Sequence, residues 1–173
     1  MSDQFSHAQK GDMVVLYFSG HGYPGGLCPD DMGRKMENAL SYEDVYAAFR
    51  RSKATRKVIL ADACMSGGLR NGKSQSKPSG QSSDVLLFLS SRTTETSIES
   101  ARMKNGFFTA YLERGLRGGA DSNKDRVITA KEIFSFVSDG VKNISHNHQH
   151  PVMWGKFDDN FIMMNWRASV SRP

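Results

Sequence analysis

No apolar stretch in this sequence is long enough to cross a bilayer. The longest uninterrupted apolar runs cover residues 13–18 and 85–89, far short of the roughly 20 residues a spanning helix needs. The polar start, Met1-Ser2-Asp3-Gln4, holds no secretory core. Cysteine is scarce: Cys28 and Cys64 stand without framework spacing, which excludes a disulfide scaffold and fits a reducing compartment, where a lone thiol is catalytic or inert. Cys28 is expected to be a buried bystander. There is no Cys-x-x-Cys pair for a zinc site, no Gly-x-Ser-x-Gly elbow for a serine nucleophile and no internal repeat. Basic residues outnumber acidic ones, 23 to 18, but no stretch interleaves them with aromatics, so nucleic-acid binding is the weaker reading of a net charge of +5. What remains is a chain of 173 residues, 38% hydrophobic and 10% aromatic, enough for the core of one domain. We expect it to be soluble and cytoplasmic, with no membrane partner.

The chemistry is concentrated at two strand ends. Val58-Ile59-Leu60-Ala61-Asp62-Ala63-Cys64-Met65-Ser66-Gly67-Gly68 reads as a short buried strand that stops at an acid, a thiol and two glycines. Upstream, residues 13–18 and then Ser19-Gly20-His21-Gly22 repeat that grammar with a histidine in place of the cysteine. Residues 42–51 lie between them, opened by Ser41-x-x-Asp44 and carrying Tyr42, Val45, Tyr46 and Phe49 at helical spacing. Strand, helix, strand is the crossover unit of a parallel sheet, which brings His21 and Cys64 to the same end. In open α/β sheets that end is where ligands bind. A thiol is a strong nucleophile only as thiolate, and a neighbouring imidazole can take its proton and return it to a leaving group. Asp62 and Cys64 are two apart on a strand, as are Ser19 and His21, so both polar side chains are expected to line the cleft. The plainer reading of Asp62 is a cap on nearby backbone N–H groups. Gly22, without a side chain, can bring its N–H close to a substrate carbonyl.

The blocks around His21 and Cys64, in that order and 43 positions apart (21 to 64), resemble the two signatures of the caspase-like cysteine peptidases, in particular the metacaspase and bacterial caspase-like branch. The resemblance implies an α/β three-layer sandwich with a mostly parallel sheet. It also implies a cysteine endopeptidase acting on polypeptides, with Cys64 attacking, His21 as base and acid, and the N–H groups of Gly22 and Cys64 holding the oxyanion. Asp62 and Ser19 match the primary specificity pocket, which in that branch selects arginine or lysine. Caspases proper carry glutamine at the first of these positions, which argues against aspartate specificity. The alternative is a catalytically weak calcium-binding or scaffold module that kept the fold.

The rest of the chain adds three features. Residues 70–83 are polar and rich in glycine and serine, and read as a mobile loop. The resemblance makes Arg70, Lys73 and Lys77 candidate self-cleavage points there, against a mere linker. Asp121, Asn123, Asp125, the Val127 carbonyl, Thr129 and Glu132 fall at the ligand positions of an EF-hand-type calcium loop over 121–132, except that Arg126 stands where that loop wants glycine. Thr129-x-x-Glu132 is equally a capping box for a helix over 133–141. His146, His148 and His150 could bind a transition metal, but a solvated loop is the stronger reading. Residues 160–166 read as a last strand, and 167–173 as a frayed tail.

The domain over 1–166 looks partial. In the resembling families further strands precede the histidine strand, and here only twelve polar-leaning residues do. The family's second acidic pocket residue would lie in the absent part. Residues 13–18 are apolar on both faces, as expected of a strand buried between helix layers with neighbours on both sides. A second chain, or a second copy of this one, is expected to cover their edge.

Overall fold

The computed structural model describes residues 2–23, 25–33, 37–63, 85–91, 99–100, 105–155, 158 and 160–166. Local signals place most of its elements. Ser41 caps helix α2 (Tyr42–Arg51) by accepting the Asp44 N–H at 3.1 Å, with Glu43 and Asp44 at the positive end and Arg50 and Arg51 at the negative end. Its buried face is Tyr42, Val45, Tyr46 and Phe49, the aromatic stripe of the sequence. Around it come α1 (Ser2–Ser6), β1 (Met13–Tyr23), β2 (Gly26–Cys28) and β3 (Leu40–Ser41) before α2, and β4 (Arg56–Ala63), β5 (Val85–Leu89), β6 (Glu99–Ser100), β7 (Asn105–Gly106) and α3 (Phe107–Arg114) after it. A π-helical turn over Gly115–Gly119 ends α3, with Gly118 at φ 114°. Then come β8 (Val127–Thr129), α4 (Ala130–Ile144), β9 (Val152–Trp154) and β10 (Ile162–Asn165).

Among the described residues the central sheet has six strands in the order β3-β2-β1-β4-β5-β9. Its long middle strands, β1, β4 and β5, are parallel, while β2 and β9 run antiparallel to their neighbours. Side chains alternate between the faces. Ile59, Ala61, Ala63, Leu87 and Leu89 pack with α2 on one side, while Val58, Leu60, Leu86 and Phe88 pack with Phe108, Leu112, Ile133 and Val137 on the other. This is the expected three-layer α/β sandwich.

Two expectations need correcting. The glycines and proline of residues 22–26 signal a loop, but Gly22 and Tyr23 continue β1 and pair with β2, Gly22 with Leu27 and Tyr23 with Gly26. Residues 13–18 are buried on one face only: Val14 is buried and Leu16 and Phe18 pack on the core beside α2, whereas Val15 is 40% and Tyr17 47% exposed on the other face. Lesser differences are at ends: α4 begins at Ala130 rather than 133, and the last strand is confined to Ile162–Asn165. The segment 70–83, with Arg70, Lys73 and Lys77, and the tail 167–173 lie outside the described residues, as does Cys64.

Candidate active site

Parallel register fixes the centre of the site. β1 and β4 pair without a break from Met13 with Arg56 to Ser19 with Asp62 and Gly20 with Ala63. His21 is the next residue along β1 and is exposed; Cys64 follows Ala63 in the sequence and lies outside the described residues. Tyr17, Ser19 and His21 share one face of β1 by the two-residue period, and the register puts Asp62 on the same face of the sheet.

Asp62 is 5% exposed and meets the start of α3. Its Oδ2 accepts the Thr109 backbone N–H at 3.1 Å and the Thr109 hydroxyl at 2.6 Å. The Thr109 hydroxyl gives its only proton to Asp62, so in its 2.9 Å contact with Tyr17 the tyrosine is the donor. A carboxylate at a helix N-terminus is stabilised by the unbonded amides there. Gly106, which precedes α3, has no side chain to spare: a Cβ at that position would run into Asp62 Oδ2. The capping role weighed for Asp62 is therefore realised, on the face that Ser19 and His21 share.

A second network braces the other side of the β4 end, and nothing in the sequence reading pointed to it. Ser90 Oγ accepts the Ala63 N–H and donates to the Ala63 carbonyl, both at 3.2 Å, and Ser91 Oγ donates to the same carbonyl at 3.5 Å. Gln149, fully buried, donates its side-chain amide to the Ser90 carbonyl at 2.8 Å. The only local clue was a pair of serines directly after the apolar run 85–89.

His21 has a further neighbour. In the β1–β2 hairpin it is paired with Cys28, so the two side chains leave the sheet on the same face. Cys28 is partly exposed, which overturns its reading as a buried bystander. The hairpin is tied to α2 by the Tyr42 N–H, which donates to the Gly25 carbonyl at 3.0 Å. Burial, then Tyr23 and Cys28 nearby, push the Tyr42 hydroxyl up to about 12.

The loop over 121–132 closes on its own amides. Asp121 accepts the N–H groups of Asp125 and Arg126, Asn123 that of Asp125, and Asp125 that of Val127, at 2.8–3.1 Å. Arg126 adopts φ 64°, the left-handed conformation for which glycine is favoured. Glu132 completes the capping box with Thr129 and also accepts the Ser122 hydroxyl at 3.0 Å. Partial burial raises its pKa, but the hydrogen bonds from Thr129 and Ser122 outweigh that and leave it lowered. Among the described residues no three His, Cys, Asp or Glu side chains come together to hold a metal ion. That includes His146, His148 and His150; the first two are exposed in the turn after α4. No described helix is long and apolar enough to cross a membrane.

Comparison with known proteins bears on the whole arrangement. No curated protein matches the chain. The crystal structure of protein GSU0716 from Geobacter sulfurreducens superposes with a TM-score of 0.57 at 16% identity, covering 95% of this chain and 76% of that one; at that identity the likeness concerns the fold alone. The caspase domain model of the C14 peptidases matches residues 1–162. With nearly its full length matched, the chain belongs to the caspase domain family of cysteine peptidases.

Proposed function

We propose that the protein is a cysteine endopeptidase that cleaves after arginine or lysine through a Cys64–His21 dyad. The observation that carries this reading is the unbroken β1–β4 register, whose next residues outward are His21 and Cys64, on strands about 4.8 Å apart. His21 takes the proton of the Cys64 thiol, and the thiolate adds to the scissile carbonyl carbon. The oxyanion is held by the N–H groups of Gly22 and Cys64. The carbon–nitrogen bond then breaks as the imidazolium protonates the leaving amine, and water, deprotonated by His21, releases the second product from the thioester. What supports a cationic substrate side chain is a buried carboxylate, Asp62, opposite Ser19 and on the face of His21. A charge-assisted contact of this kind is worth roughly 1.5–3 kcal/mol.

Calcium enters as a second reading, favoured by the left-handed backbone at Arg126 where an EF-hand-type loop requires it. Asp121, Asn123 and Asp125 already accept loop amides, and Glu132 is engaged by Thr129 and Ser122, so these donors would have to exchange such contacts for the ion. Binding is therefore weak.

The test is a fluorogenic peptide library varied at the residue before the scissile bond, run with and without calcium, alongside iodoacetamide labelling. Because Cys28 is partly exposed, labelled peptides must be assigned by mass spectrometry. Turnover of arginine and lysine peptides together with rapid labelling of Cys64 is expected. No turnover and a slow Cys64 would instead support the scaffold alternative.

A further inference from the structure

Asp62 turns one of its two carboxylate oxygens into the first turn of α3. Oδ2 accepts both the Thr109 backbone N–H and the Thr109 hydroxyl, and the Gly106 backbone lies so close that a Cβ there would collide with the same oxygen. An ionised carboxylate offers about four lone-pair positions, two on each oxygen, and Thr109 fills both of those on Oδ2. The arrangement is also held from β1. The Thr109 hydroxyl gives its proton to Asp62 and accepts the Tyr17 hydroxyl at 2.9 Å, so turning the Thr109 side chain would break both bonds. Asp62 is buried, and its partner in the parallel register, Ser19, is exposed.

Arginine and lysine ask different things of such a group. A guanidinium is a planar fork that gains most when two N–H groups meet two carboxylate oxygens, whereas an ammonium is a compact charge that needs only one. With Oδ2 held by Thr109, a guanidinium reaches both oxygens only by displacing a bond that anchors α3. An ammonium can meet Oδ1 and turn its remaining donors to the Ser19 hydroxyl and to water.

We infer that Thr109 is a specificity-determining residue: by occupying Oδ2 of Asp62 it removes the bidentate contact, and the protein cleaves after lysine at least as well as after arginine. This rests on the proposed endopeptidase reading with Asp62 in the specificity pocket, and it separates two substrates that the reading treats alike. Thr109 acts through Asp62 and meets no reacting atom, so its role is positioning.

The test is kcat/KM for two fluorogenic peptides that differ only in lysine or arginine before the scissile bond, with wild type, Thr109→Ser and Thr109→Ala. Wild type should turn over the lysine peptide at least as well as the arginine peptide. Thr109→Ser keeps the hydroxyl and should hold that ratio. Thr109→Ala opens a position on Oδ2 and should move the ratio toward arginine by about tenfold, the worth of one charge-assisted hydrogen bond. A threonine that only stabilised the fold would change the melting temperature and leave the ratio where it was. If Thr109→Ala fails to fold, a peptide carrying ω-N-methylarginine decides the matter on wild type: methylation keeps the charge but blocks bidentate bonding, so it should cost less than about tenfold relative to arginine. The inference is overturned by a wild-type preference for arginine over lysine of about tenfold or more, by a ratio that Thr109→Ala does not move, or by a comparable loss on methylation. Each of those results leaves the endopeptidase reading standing, whereas no turnover of either peptide overturns both.

Discussion

The Ser90 hydroxyl grips Ala63 from both sides of its peptide, accepting the N–H and donating to the carbonyl at 3.2 Å each. Ala63 immediately precedes Cys64, the proposed nucleophile, so Ser90 holds the end of β4 that leads to it. Ser90→Ala leaves two polar groups of a residue only 1% exposed without that partner. The cost is roughly 1–3 kcal/mol, or a melting temperature lower by about 2–4 °C for each kcal/mol in a domain of this size. As a positioning residue, Ser90 should affect kcat more than KM. Thermal melting and steady-state kinetics on one preparation check both, and an unchanged kcat would reduce Ser90 to a stabilising role.

Two substitutions separate the cap that Asp62 makes with Thr109 from the specificity role proposed for it. Asp62→Asn keeps an oxygen for Thr109 but removes the charge, so the preference for arginine over neutral residues should fall by about tenfold or more. Thr109→Val removes the hydroxyl that donates to Asp62 but keeps the carboxylate, so melting temperature should drop while the preference survives. Equal turnover of arginine and aspartate peptides by the wild type would remove the specificity role altogether.

Glu132 makes stability depend on acid. Folding lowers its pKa below the ordinary 4.5, so as pH falls the unfolded chain takes up the proton first. The contribution is complete above about pH 4.5 and is lost as pH falls through the folded-state value. Denaturant unfolding at pH 7 and below pH 4 should show a larger gap between wild type and Glu132→Gln at the higher pH. A gap that does not narrow on acidification contradicts the assignment.

Millimolar calcium should raise the melting temperature of the wild type by mass action and leave Glu132→Ala unmoved. If both curves stay where they are, the loop over 121–132 serves only to cap α4.

Much of this fold could be read locally. The caps at Ser41 and Thr129, the stripe of Tyr42, Val45, Tyr46 and Phe49, and the apolar run into Asp62 are all written within a few residues of one another, and each became the expected element. The hairpin at 22–26 was missed because glycine and proline signal irregular backbone, whereas the pairing of Gly22 with Leu27 depends on the strand beyond the turn. The networks around Ala63 and Asp62 join Ser90 to Gln149 and Asp62 to Thr109, residues 59 and 47 positions apart. No periodicity or spacing rule connects such pairs. The exposure of Val15 and Tyr17 was hidden for a related reason, since an apolar composition does not say which neighbours are present.

The central claim is that His21 activates Cys64, and cleavage of an arginine fluorogenic peptide by wild type, Cys64→Ala and His21→Ala tests it most directly. Cys64→Ala should show no detectable turnover. His21→Ala should lose about a hundred- to ten-thousandfold, the usual value of general acid–base assistance. A His21→Ala enzyme within tenfold of wild type, or a Cys64→Ala enzyme that still cleaves, would contradict it.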